Sequence, residues 1–263
     1  MRARGWAAFG AAIGLALGVI AFAPAAWLAE GVASATDQRV LLAQPQGTVW
    51  RGNATLVLTG GPNSRDAFTL PGRFSWRLGW KGGELRLRAA LPCCLVEGFE
   101  LRATPAIGQM SWRVVPVDGL LAQWPVAWLA GLGAPWNTLQ LSGTVRLSSR
   151  NLALESAQGR QAVRGQAELQ IDGLSSPLST LPQLGSYRLV LDGSAGDSAA
   201  LQLSTLQGPL LLQGSGQWGG VASAGALRFR GEASAAPGSE SSLNNLLNFI
   251  GRRQGAVSIL SIG

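Results

Sequence analysis

The stretch QLSGTVRL at residues 140–147 decides the fold class, because apolar and polar side chains alternate through it. In an extended strand successive side chains point to opposite faces, so Leu141, Val145 and Leu147 share one face. Gln140 and Arg146 belong to the other face. Alternation with a period of two is typical of a strand that buries one face only.

The same alternation recurs at residues 54–58, 83–88, 166–171, 187–191, 201–203 and 226–230, with Gly, Pro, Asn or Asp between the segments. Turn residues between half-buried strands favour antiparallel neighbours joined by short loops. We therefore predict a mainly β fold, built as a curved, meandering antiparallel sheet. The pattern excludes a parallel α/β architecture.

Two segments depart from the alternation. Residues 242–251 carry apolar side chains at helical spacing, with Ser241 or Ser242 as the cap and Gly251 at the end. They predict a short C-terminal helix that plugs one end of the sheet. The apolar run at residues 120–129 predicts a short turn or helix that stops near Gly131 and Gly133.

Internal repeats accompany the strands. The pattern apolar-Arg-Gly-polar-Ala occurs at residues 50–54, 163–167 and 229–233. The irregular spacing excludes a short-period solenoid. Two interpretations remain: chance recurrence in a chain rich in Gly and Arg, or a glycine that lets each strand bend or bulge while the arginine stays outside.

The N-terminal segment predicts a membrane anchor. No ionisable side chain occurs in residues 5–29, which follow Arg2 and Arg4. About 20 apolar residues span a bilayer core, and basic flanks stay cytoplasmic. We expect residues 1–29 to form a cytoplasmic basic flank and a single transmembrane helix, and residues 30–263 a periplasmic β-rich domain. A cleavable signal peptide is the alternative.

The composition predicts a protein without catalysis. Charged residues make up 13% of the chain, and histidine, the commonest general base and metal ligand, is absent. No acidic cluster or phosphate-loop motif replaces it. We expect no catalytic residue, cofactor or metal, and no nucleic-acid partner. The net charge of +7 comes from scattered arginines, expected on solvent faces of strands, with contact to anionic lipid or an acidic partner as the alternative.

The two cysteines are adjacent, at Cys93 and Cys94. Neighbouring cysteines rarely bond each other because the ring that they close is strained. We expect two semi-buried thiols, with an intermolecular disulfide and a vicinal disulfide as alternatives.

The stretch GTVWRGNA at residues 47–54 resembles a motif of the type II secretion system protein N family (general secretion pathway protein N). Looser similarity continues through residues 178–189, 208–218 and 243–253. The resemblance implies an inner-membrane anchor followed by a β-rich periplasmic domain. It further implies a non-enzymatic accessory of the type II protein secretion system at the bacterial cell inner membrane, whose partners are other components of that system and the membrane itself.

The motif residues are candidates for a structural role or a partner contact. They are Gly47, Thr48, Val49, Trp50, Gly52 and Ala54. Our hypothesis is that Gly47 and Gly52 let the strand turn sharply, so that Trp50 closes the core. Partner binding by Trp50 is the alternative.

A second function fits the same composition. Internal repeats, 47% apolar residues and few charges are also expected of a periplasmic lipid-binding β-groove of the AsmA-like type. Such a protein needs a continuous apolar trough, whereas a protein-docking domain needs only one apolar patch. Alternation does not tell whether the apolar face is filled by side chains or open.

Overall fold

The computed structural model describes residues 2–97, 99–116, 118–157, 160–194, 198–219 and 227–262, with the backbone alone at residues 2–8, 157, 160 and 161. The side chains of the predicted basic flank, Arg2 and Arg4, therefore lie outside the described part. Sixteen strands in the described residues form one open antiparallel sheet.

The strands follow one another along the chain. The first eight are β1 (Val40–Gly47), β2 (Arg51–Thr59), β3 (Ala67–Thr69), β4 (Phe74–Lys81), β5 (Glu84–Ala90), β6 (Glu100–Ala106), β7 (Gln109–Val115) and β8 (Asp118–Pro125). The others are β9 (Ser142–Ala157), β10 (Arg160–Ser175), β11 (Gly185–Asp192), β12 (Ser198–Gln207), β13 (Leu210–Gly219), β14 (Leu227–Ala235), β15 (Arg252–Gln254) and β16 (Val257–Ile262).

Five helical segments accompany them in the described residues. They are α1 (Arg2–Ala21), α2 (Ala25–Ala35), a 3₁₀ helix (Val126–Leu132), α3 (Trp136–Leu139) and α4 (Glu240–Ile250). The mainly β class, the antiparallel meander and the short C-terminal helix are confirmed.

The sheet runs in the order β1-β2-β4-β5-β6-β7-β9-β10-β11-β12-β13-β14-β16-β15, with β3 on β2 and β8 on β9. β9 joins its two parts. Its first half pairs with β8 and its second half with β7 along one edge, while β10 covers the other edge. The stretch at 140–147 lies at the start of β9, where Leu147 faces Leu169 and Val145 faces Ile171.

The sheet curves in its C-terminal part. Cα atoms of β10 and β13, which two strands separate, approach within 8 Å. Three flat strand spacings would place them about 14 Å apart. The expected curvature is thus present there, and it makes one face concave. We call this concave face the inner face and its opposite the outer face.

The helices cover one end of the inner face, which we call the closed end. A buried cluster there joins the 3₁₀ helix, α3 and α4 to β9, β10, β11, β13 and β14. Leu243, Leu246 and Leu247 of α4 are fully buried in it. Burying three leucines stabilises the fold by roughly 5 to 9 kcal/mol before entropic costs. The helix begins after Ser239, without a side-chain cap, rather than at Ser241 or Ser242.

The core continues along the inner face toward β1. Trp124 packs against both the cluster at the closed end and a second cluster around Trp128 and Leu91. Leu56 and Phe74 join that second cluster to a third. Side chains from both parts of the sheet therefore contribute to one apolar layer.

The expectation for residues 120–129 is half right. Residues 120–125 belong to β8, and only the following residues form the 3₁₀ helix, which ends before Gly133 at φ 78°. Pro125 and the pairing of Trp124 with Val145 fix where the strand stops.

The repeated pattern places its glycines in two ways. Gly165 adopts φ 76° at a β-bulge, as the bend interpretation expects. Gly52 and Gly231 lie in regular strand pairing instead. The missing side chain leaves room for the Trp76 ring beside Gly52 and for the Phe229 ring beside Gly231. In all three copies the arginine points outward. The buried, inward-pointing residue is Ala54 in the first copy, Val163 in the second and Ala233 in the third.

The N-terminal residues form two helices, α1 and α2, which the non-helical residues 22–24 separate. α2 lies against β1 on the inner face, where Ala25 and Leu28 pack near Trp76. In α1 and the break, residues 9–22 are exposed apart from the half-buried Gly18. Within the described residues, no helix is both long and apolar enough to cross a membrane.

Candidate functional site

The GTVW stretch forms the turn between β1 and β2. Gly47 has φ 91°, a conformation that favours glycine, and a Cβ there would clash with the carbonyl of Arg51. The N–H of Thr48 donates to the carbonyl of Arg51 (2.8 Å) and closes the turn. Gly47 thus supplies the sharp turn of our hypothesis.

Trp76, and not Trp50, fills the core beneath this turn. Trp76 is 3% exposed, and its Nε1–H donates to the carbonyl of Val49 (3.0 Å). Gly52 pairs with Trp76, and a Cβ at Gly52 would clash with the indole ring. The expectation that Trp50 closes the core is wrong, since Trp50 is 37% exposed.

Trp50 contacts α1 instead. Its Nε1–H donates to the carbonyl of Ile20 (2.7 Å), in the last turn of α1. The N–H of Val49 donates to the carbonyl of Ala23 (2.9 Å), and Thr48 forms a β-bridge with Pro24. The motif turn therefore holds the junction between α1 and α2 against the sheet by three backbone or indole contacts.

Arginines line the outer face next to this turn. Strand register places Arg51 opposite Arg77 and Arg77 opposite Arg88, and a second row joins Arg86, Arg102 and Arg113. Directly opposed like charges destabilise a sheet. We call these six side chains the arginine rows.

One buried carboxylate compensates part of that charge. Glu100 accepts hydrogen bonds from Arg88 (2.6 Å) and Arg102 (2.7 Å). Burial raises the pKa of the Glu100 carboxyl, but the two arginines outweigh burial and hold the pKa below its usual value. In the described residues Arg51, Arg77 and Arg113 have no ion-pair partner.

The inner face is open at the end opposite the closed end, which we call the open end. A cavity of about 610 Å³ lies there, lined only by apolar side chains. We call it the apolar trough; its lining is Leu101, Trp112, Val114, Leu152, Ala153, Leu154, Val163, Leu189, Leu191, Leu201, Trp218 and Leu227. Apart from the buried Val163, these side chains are half-buried.

The trough continues the core, since on β11 the buried Tyr187 shares its face with Leu189 and Leu191. Tyr187 itself is structural. Its hydroxyl donates toward the carbonyls of Leu184 (3.1 Å) and Leu210 (2.9 Å), and burial raises its pKa.

Cys93 and Cys94 form a vicinal disulfide, so the expectation of two thiols is wrong. Cys94 is buried beside Trp128, and Cys93 is exposed. The carbonyl of Cys94 accepts a hydrogen bond from the N–H of Gln123 (2.8 Å), which ties the turn to β8. The backbone of β8 thus holds both cysteines in one turn, an arrangement that spacing alone disfavoured.

Metal chemistry has no candidate in the described part of the chain, where no three His, Cys, Asp or Glu side chains come close enough to hold an ion. The surfaces of interest are the motif turn, the arginine rows and the apolar trough. Sequence reasoning named site residues only for the first; it expected an apolar trough and arginine contacts as alternatives, without the residues that form them. Alternating arginines at 86, 88, 102 and 113 were a signal for the rows, but which strands are neighbours was needed to see them together.

Comparison with known proteins connects the chain to one family. A family model described as type II secretion system (T2SS), protein N matches residues 38–259, from just before β1 into β16. No curated protein and no solved structure matches the chain. The match covers the motif turn, both rows of arginines and the trough, and it confirms the resemblance carried by residues 47–54. The chain belongs to the type II secretion system protein N family.

Proposed function

We propose that this protein is a non-enzymatic accessory of the type II secretion system, anchored in the bacterial inner membrane by α1, with its sheet domain in the periplasm. The family match over residues 38–259 carries the assignment to type II secretion. The anchor is our proposal from α1, whose exposed apolar side chains include Phe9, Ile13 and Leu17. In water such a helix would leave a large apolar surface uncovered.

The contacts of the motif turn support the retention of α1 in the mature protein. A helix that served only as a cleaved leader would need no fixed junction with the mature domain. Here Trp50 and Val49 bond the carbonyls of Ile20 and Ala23. The partners in this role are other components of the secretion system. The same helix, α1, keeps this protein at the membrane beside them.

A secretion assay with matched variants tests the proposal. In a strain that lacks the chain, the wild-type chain restores export of a type II cargo to the medium. Ile13→Glu with Leu17→Glu should release the chain from the membrane fraction and abolish that rescue, because each buried charge costs about 2.5 to 3.5 kcal/mol. Ile13→Val with Leu17→Val is the control. Full rescue by the glutamate variant would refute the anchored accessory.

The apolar trough favours a second candidate function, the binding of a lipid chain in an AsmA-like groove. The observation is specific: the closed end of the inner face is filled by α4, whereas the open end has an all-apolar cavity of about 610 Å³. Cavities of this size hold small ligands, and an all-apolar lining selects a hydrocarbon.

Lipid extraction from the purified full-length chain tests this second function. Leu191→Arg places a charge in the trough, and Val190→Arg places the same charge on the outer face of the same strand. We expect co-purified lipid, beyond the detergent-exchanged background, in wild type and Val190→Arg but not in Leu191→Arg. Equal lipid in all three preparations would exclude the trough as the binding site.

A further inference from the structure

The turns at the open end lie on the side from which α1 projects. β1 ends and β2 begins at the motif turn, which holds Ile20 and Ala23. The hairpin of β4 and β5 extends beyond that turn at the open end. Arg77 pairs with Arg51 at the start of β2, and β4 continues for four more residues to Lys81. The turn between β6 and β7 extends on the same side, since Leu85 near the start of β5 faces Ala103 and β6 continues to Ala106.

Large apolar side chains at these turns are exposed in the part of the chain that the structure describes. Trp80 is 63% exposed and Ile107 is 104% exposed, and Trp50 lies beside α1. Lys81, the only lysine, follows Trp80 at the tip of its hairpin. Aromatic rings next to basic side chains are the groups that settle at a membrane interface.

The arginine rows begin at the same end. Arg51 and Arg77 are exposed and have no ion-pair partner in the described residues, and they border a cavity of about 610 Å³ that also reaches Arg88 and Asn53. Guanidinium groups bind phosphate through paired hydrogen bonds. An anion between opposed arginines would remove the repulsion that the bare sheet carries.

From this arrangement we propose that the open end of the sheet docks on the membrane surface, with Trp50, Trp80 and Ile107 in the interface and Arg51 and Arg77 on anionic phospholipid headgroups. The inference rests on the proposed anchor, because α1 supplies the membrane and the motif turn fixes the direction. It adds that the domain stands upright on the bilayer instead of hanging from a free linker. The closed end is then about 30 Å away, the length of the ten residues of β13.

Fluorescence quenching in nanodiscs tests the docking with the full-length chain. Both native cysteines are in the disulfide, so a single introduced thiol takes the dye. Gln109→Cys labels the open end and Thr180→Cys labels the closed end; both positions are exposed. The bilayer is phosphatidylcholine, with or without about 30% phosphatidylglycerol, and contains a headgroup nitroxide lipid as quencher.

We expect the dye at 109 to be quenched at least about threefold more than the dye at 180, and more strongly when phosphatidylglycerol is present. Arg51→Gln with Arg77→Gln should abolish the phosphatidylglycerol-dependent part. The matched control is Arg39→Gln with Arg65→Gln, which removes two exposed arginines at the closed end.

The outcomes separate the two proposals. A chain that does not stay in the nanodiscs would refute the anchor and the docking together. A chain that stays, with equal quenching at 109 and 180, would refute the docking and leave the anchor standing. If quenching is stronger at 109 but Arg51→Gln with Arg77→Gln leaves it unchanged, the headgroup contact is refuted.

Discussion

Replacing Trp76 by alanine should destabilise this protein far more than replacing Trp50. The Trp76 ring is 3% exposed, lies 6.1 Å from the Phe74 ring and bonds the carbonyl of Val49. Truncation of a buried tryptophan costs about 3 to 5 kcal/mol, which includes the cavity left behind. The carbonyl of Val49 also loses its partner, which costs on the order of 1 kcal/mol.

Trp50 has less to lose because it is 37% exposed and the hydrogen bond of its indole joins the end of α1. We expect Trp50→Ala to cost about 1 to 2 kcal/mol, so the two variants should differ by about 2 kcal/mol or more. Trp80→Ala, at a 63% exposed tryptophan, is the control and should stay within about 0.5 kcal/mol of wild type.

Urea unfolding of the full-length chain in detergent, followed by far-UV circular dichroism, measures all three free energies of unfolding on one scale. Trp76→Phe separates packing from hydrogen bonding, since it keeps an aromatic ring and removes the indole N–H. If Trp76→Ala cost no more than Trp50→Ala, the assignment of Trp76 to the core and Trp50 to the α1 junction would be refuted.

Three further variants test other contacts. Gly52→Ala should lower the thermal midpoint by several degrees because its Cβ meets the Trp76 ring, whereas Gly79→Ala, with open space around its Cβ, should leave the midpoint unchanged; equal shifts would contradict the fit. Glu100→Gln should reduce the fall of the unfolding free energy at acid pH, the acid limb of the stability curve. The pKa of Glu100 is lower in the folded state than in the unfolded state. The carboxylate therefore stabilises the fold above its unfolded-state pKa, and this stability is lost as pH falls through the folded-state pKa. An unchanged acid limb in calorimetry would contradict it. Ser258→Ala should cost about 1 to 3 kcal/mol in urea unfolding, since this fully buried hydroxyl donates to a carbonyl of α4 (2.6 Å), and a neutral result would show that the bond is dispensable.

The strand alternation predicted the fold class because it depends only on local spacing. Val145 and Leu147 face inward in β9, and the 3.6-residue spacing of Leu243, Leu246 and Leu247 produced α4 where it was expected. The hairpin of β15 and β16 after α4 was missed, although Gly255 and the β-branched residues Val257, Ile259 and Ile262 were a usable signal.

The choice between two tryptophans lay beyond the sequence. Trp50 and Trp76 both belong to segments with small and polar neighbours, and only the register of β2 against β4 puts Gly52 opposite Trp76. The apolar trough was out of reach for a similar reason. Leu189 and Leu191 alternate as core residues do, and it is the length of the helices at the closed end that leaves them uncovered.

The strand order also fixes how the chain can assemble. Nearly every strand pairs with its neighbour in sequence, so hairpins can be added one after another as the polypeptide emerges, each on the edge that the previous one has left. In three places a strand pairs past its sequence neighbour: β4 meets β2 past β3, and β16 meets β14 past β15. The third is β9, which must reach past β8 to meet β7. Until β9 arrives, the first seven strands end in an unpaired edge. That step is therefore the point at which a helper or a competing strand has the best chance to intervene during synthesis.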